Sequence, residues 1–366
     1  MRIKAPKTIA TFPDGENVVV YNYLLKQAVA CPPQDIFWLL ATSDWTDIDE
    51  LCAMGPQDSL PEMRQTIEAL VESGILLAEE SETARLEAEY TTGWELGSAA
   101  GLFHFTIMDN VYDSYEEGVR YQQEKALTQP SPELLSLNGN GSIQLQRPDL
   151  SDENSVLATI ERRRTRRNVL NEPISLAQLG DSLFAGLGIN KFIKTPTSVL
   201  PLKMTPSGGA RNPYEAYVVV QNVKGLEPAV YHYSGVEHSL MKIGPMPSEP
   251  LQNYVQRQEW ADAMPAMILL VANLERVSWK YGDPNAYRVV MMEAGHIAQN
   301  IMLSCTGNGL TACPTAALNH REISNLVGIR KIAQTPVYAL LVGKPGPNED
   351  QGLSVEAVLQ GNTSLN

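Results

Sequence analysis

The stretch "DPNAYRVVMMEAGHIAQNIMLSCTGNG", Asp283 to Gly309, decides the architecture. Tyr287, Val290, Met291, Ala294, Ala298, Ile301, Met302 and Cys305 recur at three- and four-residue spacing, which is one apolar stripe along a helix. Asp283 fits an N-cap, Pro284 the first helical position, and Gly307-Asn308-Gly309 a stop. The spacing therefore predicts a long helix, about five turns, buried along one side. His296 lies inside it and is read as a buried, hydrogen-bonded side chain rather than a ligand.

Around this helix the chain alternates. "DENSVLATIERR" and "SLAQLGDSLFAGLG" have helical periodicity, while "EAYVVVQNV", "AVYHYSG", "AMILLVANLERV" and "PVYALLVG" read as strands. Residues 151–366 are accordingly expected to form an α+β domain about a long central helix. Residues 111–150, with "LTQPSPELLSLNGNGSIQLQRP", read as a linker. Residues 1–110 read as a smaller unit. It opens on the strand-like "ENVVVYNYLL" and continues through helical "PPQDIFWLLAT", "DWTDIDELCAM" and "SLPEMRQTIEALVESG" to "ILLAEE". Ser59 fits the cap of the last helix and Gly74 its end, and the order of elements suggests a winged-helix-like arrangement.

Composition narrows the function. The 366 residues are 43% hydrophobic and 19% charged, as in folded proteins, with a formal net charge of −14. Residues 1–80 hold five Lys/Arg against 13 Asp/Glu, so a nucleic-acid role for the winged-helix-like unit is not expected. A structural role, or docking of a peptide or partner, fits better. Cys31, Cys52, Cys305 and Cys313 lack the spacing of a zinc site, the five histidines lack helical metal spacing, and no metal is expected. Cys313 is read as a core residue rather than a nucleophile. No apolar run reaches the length of a membrane span, and a cytoplasmic setting is expected.

Two segments carry chemistry. "ERRRTRR" places arginines at 162, 163, 164, 166 and 167. They read either as a solvated helix end or as an anion site in which alternating Arg163, Thr165 and Arg167 converge on a phosphate. "KMTPSGGARNPYEAYVVV", from Lys203, puts Pro206, Ser207, Gly208 and Gly209 in a loop before a strand, with Arg211 close behind. Consecutive glycines mark either a tight turn or a backbone approached closely by a ligand.

Together these segments resemble the nitroreductase-like flavoproteins, and within them the SagB-type dehydrogenases, the thiazoline/oxazoline oxidases. "ERRRTRRNVL" is similar to the R-R-S-x-R flavin-phosphate motif, with Thr165 for serine. "TPSGGARNPYEAYVVV" is similar to the P-S-G-G loop and strand of the branch. "AYRVVMMEAGHIAQNIMLSCTGNGLTACP" resembles its Y-R…aGh-aqN…GL-acP helix and turn, and "GWELGSAAGLFHFT" its W-x-G…fH segment. The resemblance implies a nitroreductase-like fold with a mainly antiparallel central sheet, a homodimer, and FMN as cofactor. It implies a flavin site of Arg163, Arg164, Thr165 and Arg167, the loop from Pro206 to Gly209 with Arg211, the turn Pro314, Thr315 and Ala316 near flavin N5, and Lys344 as an extra phosphate contact.

The same resemblance implies that a thiazoline or oxazoline in a peptide, ribosomal or carrier-bound, is oxidised to the azole with a cyclodehydratase or synthetase as partner. Lys203 matches the lysine of a catalytic Lys-Tyr pair, although Met204 stands where the tyrosine is expected. A charge at the surface is the competing reading of Lys203. Tyr287, Arg288 and Met204 are implied on the substrate side. Two other functions remain open at this point: an NAD(P)H-dependent nitro or quinone reductase, and a non-catalytic scaffold of a synthetase complex.

Overall fold

A computed structural model describes residues 1–53, 60–109, 114–128, 155–194, 199–281 and 284–347. Strand β1 (Arg2–Lys4) precedes a meander, β2 (Ile9–Asp14), β3 (Asn17–Asn22) and β4 (Gln27–Cys31). Then come α1 (Ile36–Ala41), β5 (Thr46–Asp47), α2 (Ile48–Cys52), α3 (Leu60–Glu72) and β6 (Leu77–Ala78). β1 pairs with both β5 and β6, closing a small core of Ile3, Ile48, Leu51, Ile67, Leu70, Ile75 and Leu76. Gly74, at φ +70°, ends the turn after α3 as its sequence position suggests. Ser59 lies outside the described residues.

Next are α4 (Glu82–Gly93), α5 (Gly97–Ile107) and α6 (Tyr115–Thr128). The expected linker therefore contains a helix, and its remainder, 129–150, lies outside the described residues. The larger unit follows with α7 (Val156–Arg162), β7 (Ile174–Ser175), α8 (Leu176–Leu187), β8 (Ile189–Lys194), β9 (Val199–Lys203), β10 (Tyr214–Val220), β11 (Val223–Lys224), β12 (Ala229–Ser234), β13 (Ser239–Pro245) and β14 (Ala266–Asn273). It ends with α9 (Glu275–Ser278), α10 (Pro284–Gly307), β15 (Thr311–Thr315), α11 (His320–Val327) and β16 (Gln334–Gly343).

Six of these strands form one sheet in the order β13-β12-β10-β14-β16-β15, every pair antiparallel. The unbroken apolar run "AMILLVA" becomes its central strand β14, buried on both faces. Alternation sends Val218, Val220, Ile268, Leu270, Leu340 and Val342 into the core shared with α8 and α10. Val219, Met267, Leu269, Val271 and Leu341 enter a second core, against Leu251, Tyr254 and Ile323.

α10 buries Val290, Ala294, Ile297, Ala298, Ile301 and Cys305. At Gly186 on α8 a Cβ would lie 2.7 Å from Ile301 Cγ1, so the missing side chain lets the two helices close. His296 corrects the sequence expectation: it is exposed, because it falls two positions past Ala294 and hence off the buried stripe. Asp283, the expected cap, lies outside the described residues. α8 is entered by a capping box in which Ser175 and Gln178 bond each other's backbone N–H. Ser175→Ala is expected to cost about 1 kcal/mol, measured as a lower urea midpoint.

"GWELGSAAGLFHFT" fastens the N-terminal unit to α10 within the same chain. Tyr90, Trp94, Ala100 and Phe105 belong to the core that contains Tyr287 and Val290. His104 stacks on Trp94 at 5.1 Å and its Nδ1 bonds the Tyr287 hydroxyl. Burial pushes His104 down to about 3, so it is neutral. No helix among the described residues is long and apolar enough to cross a membrane.

Candidate active site

Lys203 ends β9, where the strand turns into the 204–213 loop, and its stem is half-buried. Nζ donates to the Tyr214 carbonyl at 3.2 Å. It lines a cavity of about 370 Å³ with Pro201, Arg211, Asn212, Glu215, His232 and Arg276. Burial moves the Lys203 ammonium down to about 8, with Arg276 acting in the same direction and Glu293 and Glu215 partly offsetting it. An ordinary surface lysine would keep its full proton affinity.

Across the cavity Glu215 accepts from His232 Nε2 at 2.8 Å and is paired with Arg276. Burial alone would raise its carboxyl, but the bonds from His232 and Arg276 prevail and hold it at about 2. A depressed carboxyl stabilises the fold above its unfolded value of 4.5 and loses that contribution as pH falls through about 2. Glu215→Gln is therefore expected to lower stability at neutral pH and to flatten its decline below pH ~4.5, measured by urea unfolding at a series of acidic pH values.

The glycine loop answers the close-approach question from within the chain. Gly209 has φ +59°, and a Cβ there would lie 2.5 Å from the Tyr281 hydroxyl and 2.8 Å from Lys280 Nζ. A Cβ on Gly208 would lie 2.8 Å from Val289 Cγ1 of α10. The missing side chains thus make room first for α10 and the segment before it. Asn212 fixes the far end, with Nδ2 donating to Pro201 and Ala210 carbonyls at 3.0 Å, and Arg276 holds the Asn212 carbonyl at 2.9 Å. Arg211 lies 5.1 Å over the ring of Trp279. Pro206 is exposed.

The arginine segment runs along the edge strand β15. Arg166 N–H donates to Thr311 Oγ1 at 3.4 Å, Thr311 Oγ1 donates to the Arg164 carbonyl at 3.4 Å, and Cys313 Sγ–H donates to the Arg166 carbonyl at 2.6 Å. Arg163 caps α7, Arg164 and Thr165 are exposed, and Arg167 lies 5.6 Å over Trp260. Among the described residues no carboxylate pairs with Arg163, Arg164 or Arg167.

Pro314, Thr315 and Ala316 adjoin this segment, with Thr315 Oγ1 accepting from Gln258 at 2.9 Å. Lys344 is taken up by Glu172 at 2.7 Å. Burial pushes the Cys313 thiol up to about 11, which suits a core residue and not a nucleophile. Among the described residues no cluster of His, Cys, Asp and Glu could hold a metal ion.

Two groups therefore form. Arg163–Arg167 lie beside Pro314–Ala316, while Lys203 lies beside Ser207–Asn212. β14 and β16 separate them, three strand spacings or about 14 Å across the sheet. Of the residues that the resemblance implies on the substrate side, Met204 is 45% exposed next to Asn190, and Arg288 is exposed. Tyr287 is different: it is buried with its hydroxyl on His104 and does not line the Lys203 cavity. Glu215, His232, Arg276 and the buried Glu293 escaped the sequence reading. Glu293 could have been found as a carboxylate at a position of the apolar stripe, three residues after Val290.

The residues present suit a flavin mononucleotide. The unneutralised Arg163, Arg164 and Arg167 with the Thr165 hydroxyl are a phosphate donor set. The buried Asn212 Oδ1, which has no partner, is an acceptor suited to a ring N–H.

The Nitroreductase family profile matches residues 160–344, about half of the chain, and takes in the arginine segment, the glycine loop, α10 and β16. The chain belongs to the nitroreductase family. That makes it a member of a family of flavin-binding oxidoreductases and accounts for the antiparallel sheet around α10.

Among curated relatives, a Methanocaldococcus jannaschii protein named as a nitroreductase, MJ1384, is 32% identical over 204 residues, 56% of this chain and 97% of that protein. The trifolitoxin-processing protein TfxB of Rhizobium leguminosarum bv. trifolii is 28% identical over 153 residues, 40% of this chain and 41% of TfxB. The chain thus spans well under half of TfxB. The trifolitoxin-processing protein TfxF of the same organism is 25% identical over 254 residues, 66% of this chain and 79% of TfxF. Among solved structures, one in the Escherichia coli microcin synthetase McbBCD complex with truncated pro-MccB17 aligns with a TM-score of 0.48 and 16% identity, over 72% of this chain and 92% of that one. At that score the likeness adds nothing to the family match.

Proposed function

We propose that this nitroreductase-family chain is an FMN-dependent oxidase of the SagB-type branch, converting a thiazoline or oxazoline in a peptide to the azole. The observation that carries the reading is Lys203, a lysine of lowered proton affinity set in a cavity beside the glycine loop. Two relatives named for trifolitoxin processing support a peptide as the substrate. Arg163, Arg164, Thr165 and Arg167 would hold the FMN phosphate. Asn212, Arg211 and the Ser207–Gly209 backbone would meet the ring edge, and the Pro314–Ala316 turn its N5 side. When bound, FMN supplies the hydride acceptor and is restored by dioxygen.

The chain's own share is proton chemistry. Neutral Lys203 Nζ takes the proton from the azoline ring Cα, and a hydride leaves the neighbouring ring carbon, so the ring loses one proton and one hydride and becomes aromatic. Burial in the cavity and the nearby Arg276 favour its neutral form. Met204, in place of a tyrosine, leaves Lys203 as the base.

Because two strands separate the phosphate donors from the loop, a second copy completes the site in this account. Val156 (71% exposed), Leu157 (51%) and Ile160 (43%) on α7, with Met292 (54%) on α10, offer an apolar face to such a homodimer. The N-terminal unit, read as winged-helix-like, is assigned to docking of the peptide or of a cyclodehydratase or synthetase partner, in a cytoplasmic setting. The relative named as a nitroreductase favours a second reading, an NAD(P)H-dependent reductase. Aerobic incubation of the yellow protein with a thiazoline peptide separates them. Loss of two hydrogens from the peptide, seen by mass spectrometry, supports the oxidase, whereas an unchanged peptide with NADPH consumption supports the reductase.

A further inference from the structure

Among the described residues Glu293 is, with Glu87, one of two buried carboxylates, 4% exposed on the otherwise apolar side of α10. Such a group costs stability unless its oxygens are bonded. Burial raises the proton affinity of its carboxyl, and the Ser207 hydroxyl, Lys203 and the Gly208 N–H, which face it, partly offset that. The Ser207 hydroxyl accepts from the Asn212 N–H at 2.8 Å, which ties the residue facing Glu293 to the far end of the loop. Gly208 sits so close to Val289, one helical turn before Glu293, that no side chain fits between them. Tyr214, whose carbonyl receives Lys203, is tied to the same turn through its hydroxyl on the Val290 carbonyl at 2.8 Å. Loop, lysine and helix thus meet at one carboxylate.

We propose that Glu293 is a positioning residue of the candidate site: its carboxylate clamps the Ser207–Gly208 bend to α10 and sets the electrostatic field at Lys203. This deepens the oxidase reading and rests on it for the meaning of Lys203, but the clamp and the field are properties of the protein alone. The groups facing Lys203 are Glu293 from α10, Glu215 from β10 with its partner His232 from β12, Arg276 from α9 and Arg211 from the loop. Burial and Arg276 favour the neutral amine, while Glu293 and Glu215 favour the ammonium. Glu215 is already committed to Arg276 and His232, which leaves Glu293 as the larger opposing charge.

Replacing the carboxylate by an amide of the same shape keeps an acceptor for the loop and removes the charge. Glu293→Gln therefore lowers the proton affinity of Lys203 further.

The measurement is competitive labelling of the full-length protein with acetic anhydride from neutral to alkaline pH, read by mass spectrometry of the Lys203 peptide. The wild-type midpoint is expected near 8 and that of Glu293→Gln about one pH unit lower. A midpoint that stays put or rises overturns the proposal. Hydrogen exchange at the Gly208 amide reads the clamp: protection is expected in wild type and in Glu293→Gln, and at least about tenfold faster exchange in Glu293→Leu. Equal exchange in wild type and Glu293→Leu also overturns it. If Glu293→Leu fails to fold, the Glu293→Gln midpoint still decides. Neither readout needs substrate, so a protein lacking oxidase activity can still pass, and an active oxidase can still fail.

Discussion

Lys203→Ala is expected to lower the rate of azoline oxidation by about 10²–10⁴-fold, the usual contribution of a positioned general base. FMN affinity and thermal stability should change little, because Lys203 bonds only the Tyr214 carbonyl and its loss relieves a buried charge. The wild-type pH profile carries the same signature. With the neutral amine as the working form, kcat/KM rises tenfold per pH unit at low pH and levels off above about 8. Lys203→Arg should be as slow as the alanine variant, since a guanidinium does not release its proton in this range. Rates are read by single-turnover mass spectrometry of the peptide. A Lys203→Ala enzyme with wild-type rates and an unaltered profile would move the base elsewhere in the cavity.

The second large effect lies at the arginine segment. Each charge-assisted contact to a phosphate contributes about 1.5–3 kcal/mol, so Arg163→Ala combined with Arg167→Ala should weaken FMN at least about 10²-fold. Riboflavin, which lacks the phosphate, should bind wild type and variant alike. Titration of apoprotein by flavin-fluorescence quenching measures both. Equal losses for FMN and riboflavin would mean that these arginines hold structure, through Trp260 and the edge of β15, and not the phosphate. Because both side chains reach solvent while the contacts to β15 run through backbone atoms, the fold itself should survive the double change.

Much of the larger unit was legible because its physics is periodic. The stripe from Tyr287 to Cys305 became the buried side of α10 through its spacing, and "AMILLVA", legible as a strand from its unbroken apolar run, became the central one. His296 was misread because histidine's average burial was used where its position, off the stripe, decides. The consecutive glycines of the loop fit either a tight turn or a close approach to the backbone. In the fold they make room for Val289, Tyr281 and Lys280, residues more than 70 positions away, and no local pattern announces such a contact.

The same reason hides the cavity. Glu215, His232 and Arg276 come from three separate elements, and only the register Tyr217 to His232 across β10 and β12, with the turn at α9, brings them together. The resemblance implies Tyr287 on the substrate side, whereas in the fold His104 from α5 bonds its hydroxyl. That pairing spans 183 residues and becomes visible only once the N-terminal unit is docked on α10.

In the proposed reaction electrons leave an azoline in a peptide and enter a flavin held by this chain. Anaerobic mixing of the FMN-loaded protein with a thiazoline-containing peptide, in the absence of any nicotinamide, tests it directly. The expected result is loss of the oxidised-flavin absorbance with one azole formed per flavin, and its return on admitting air. A flavin that stays oxidised with the peptide but bleaches with NADPH would contradict the account and leave a reductase on the same fold.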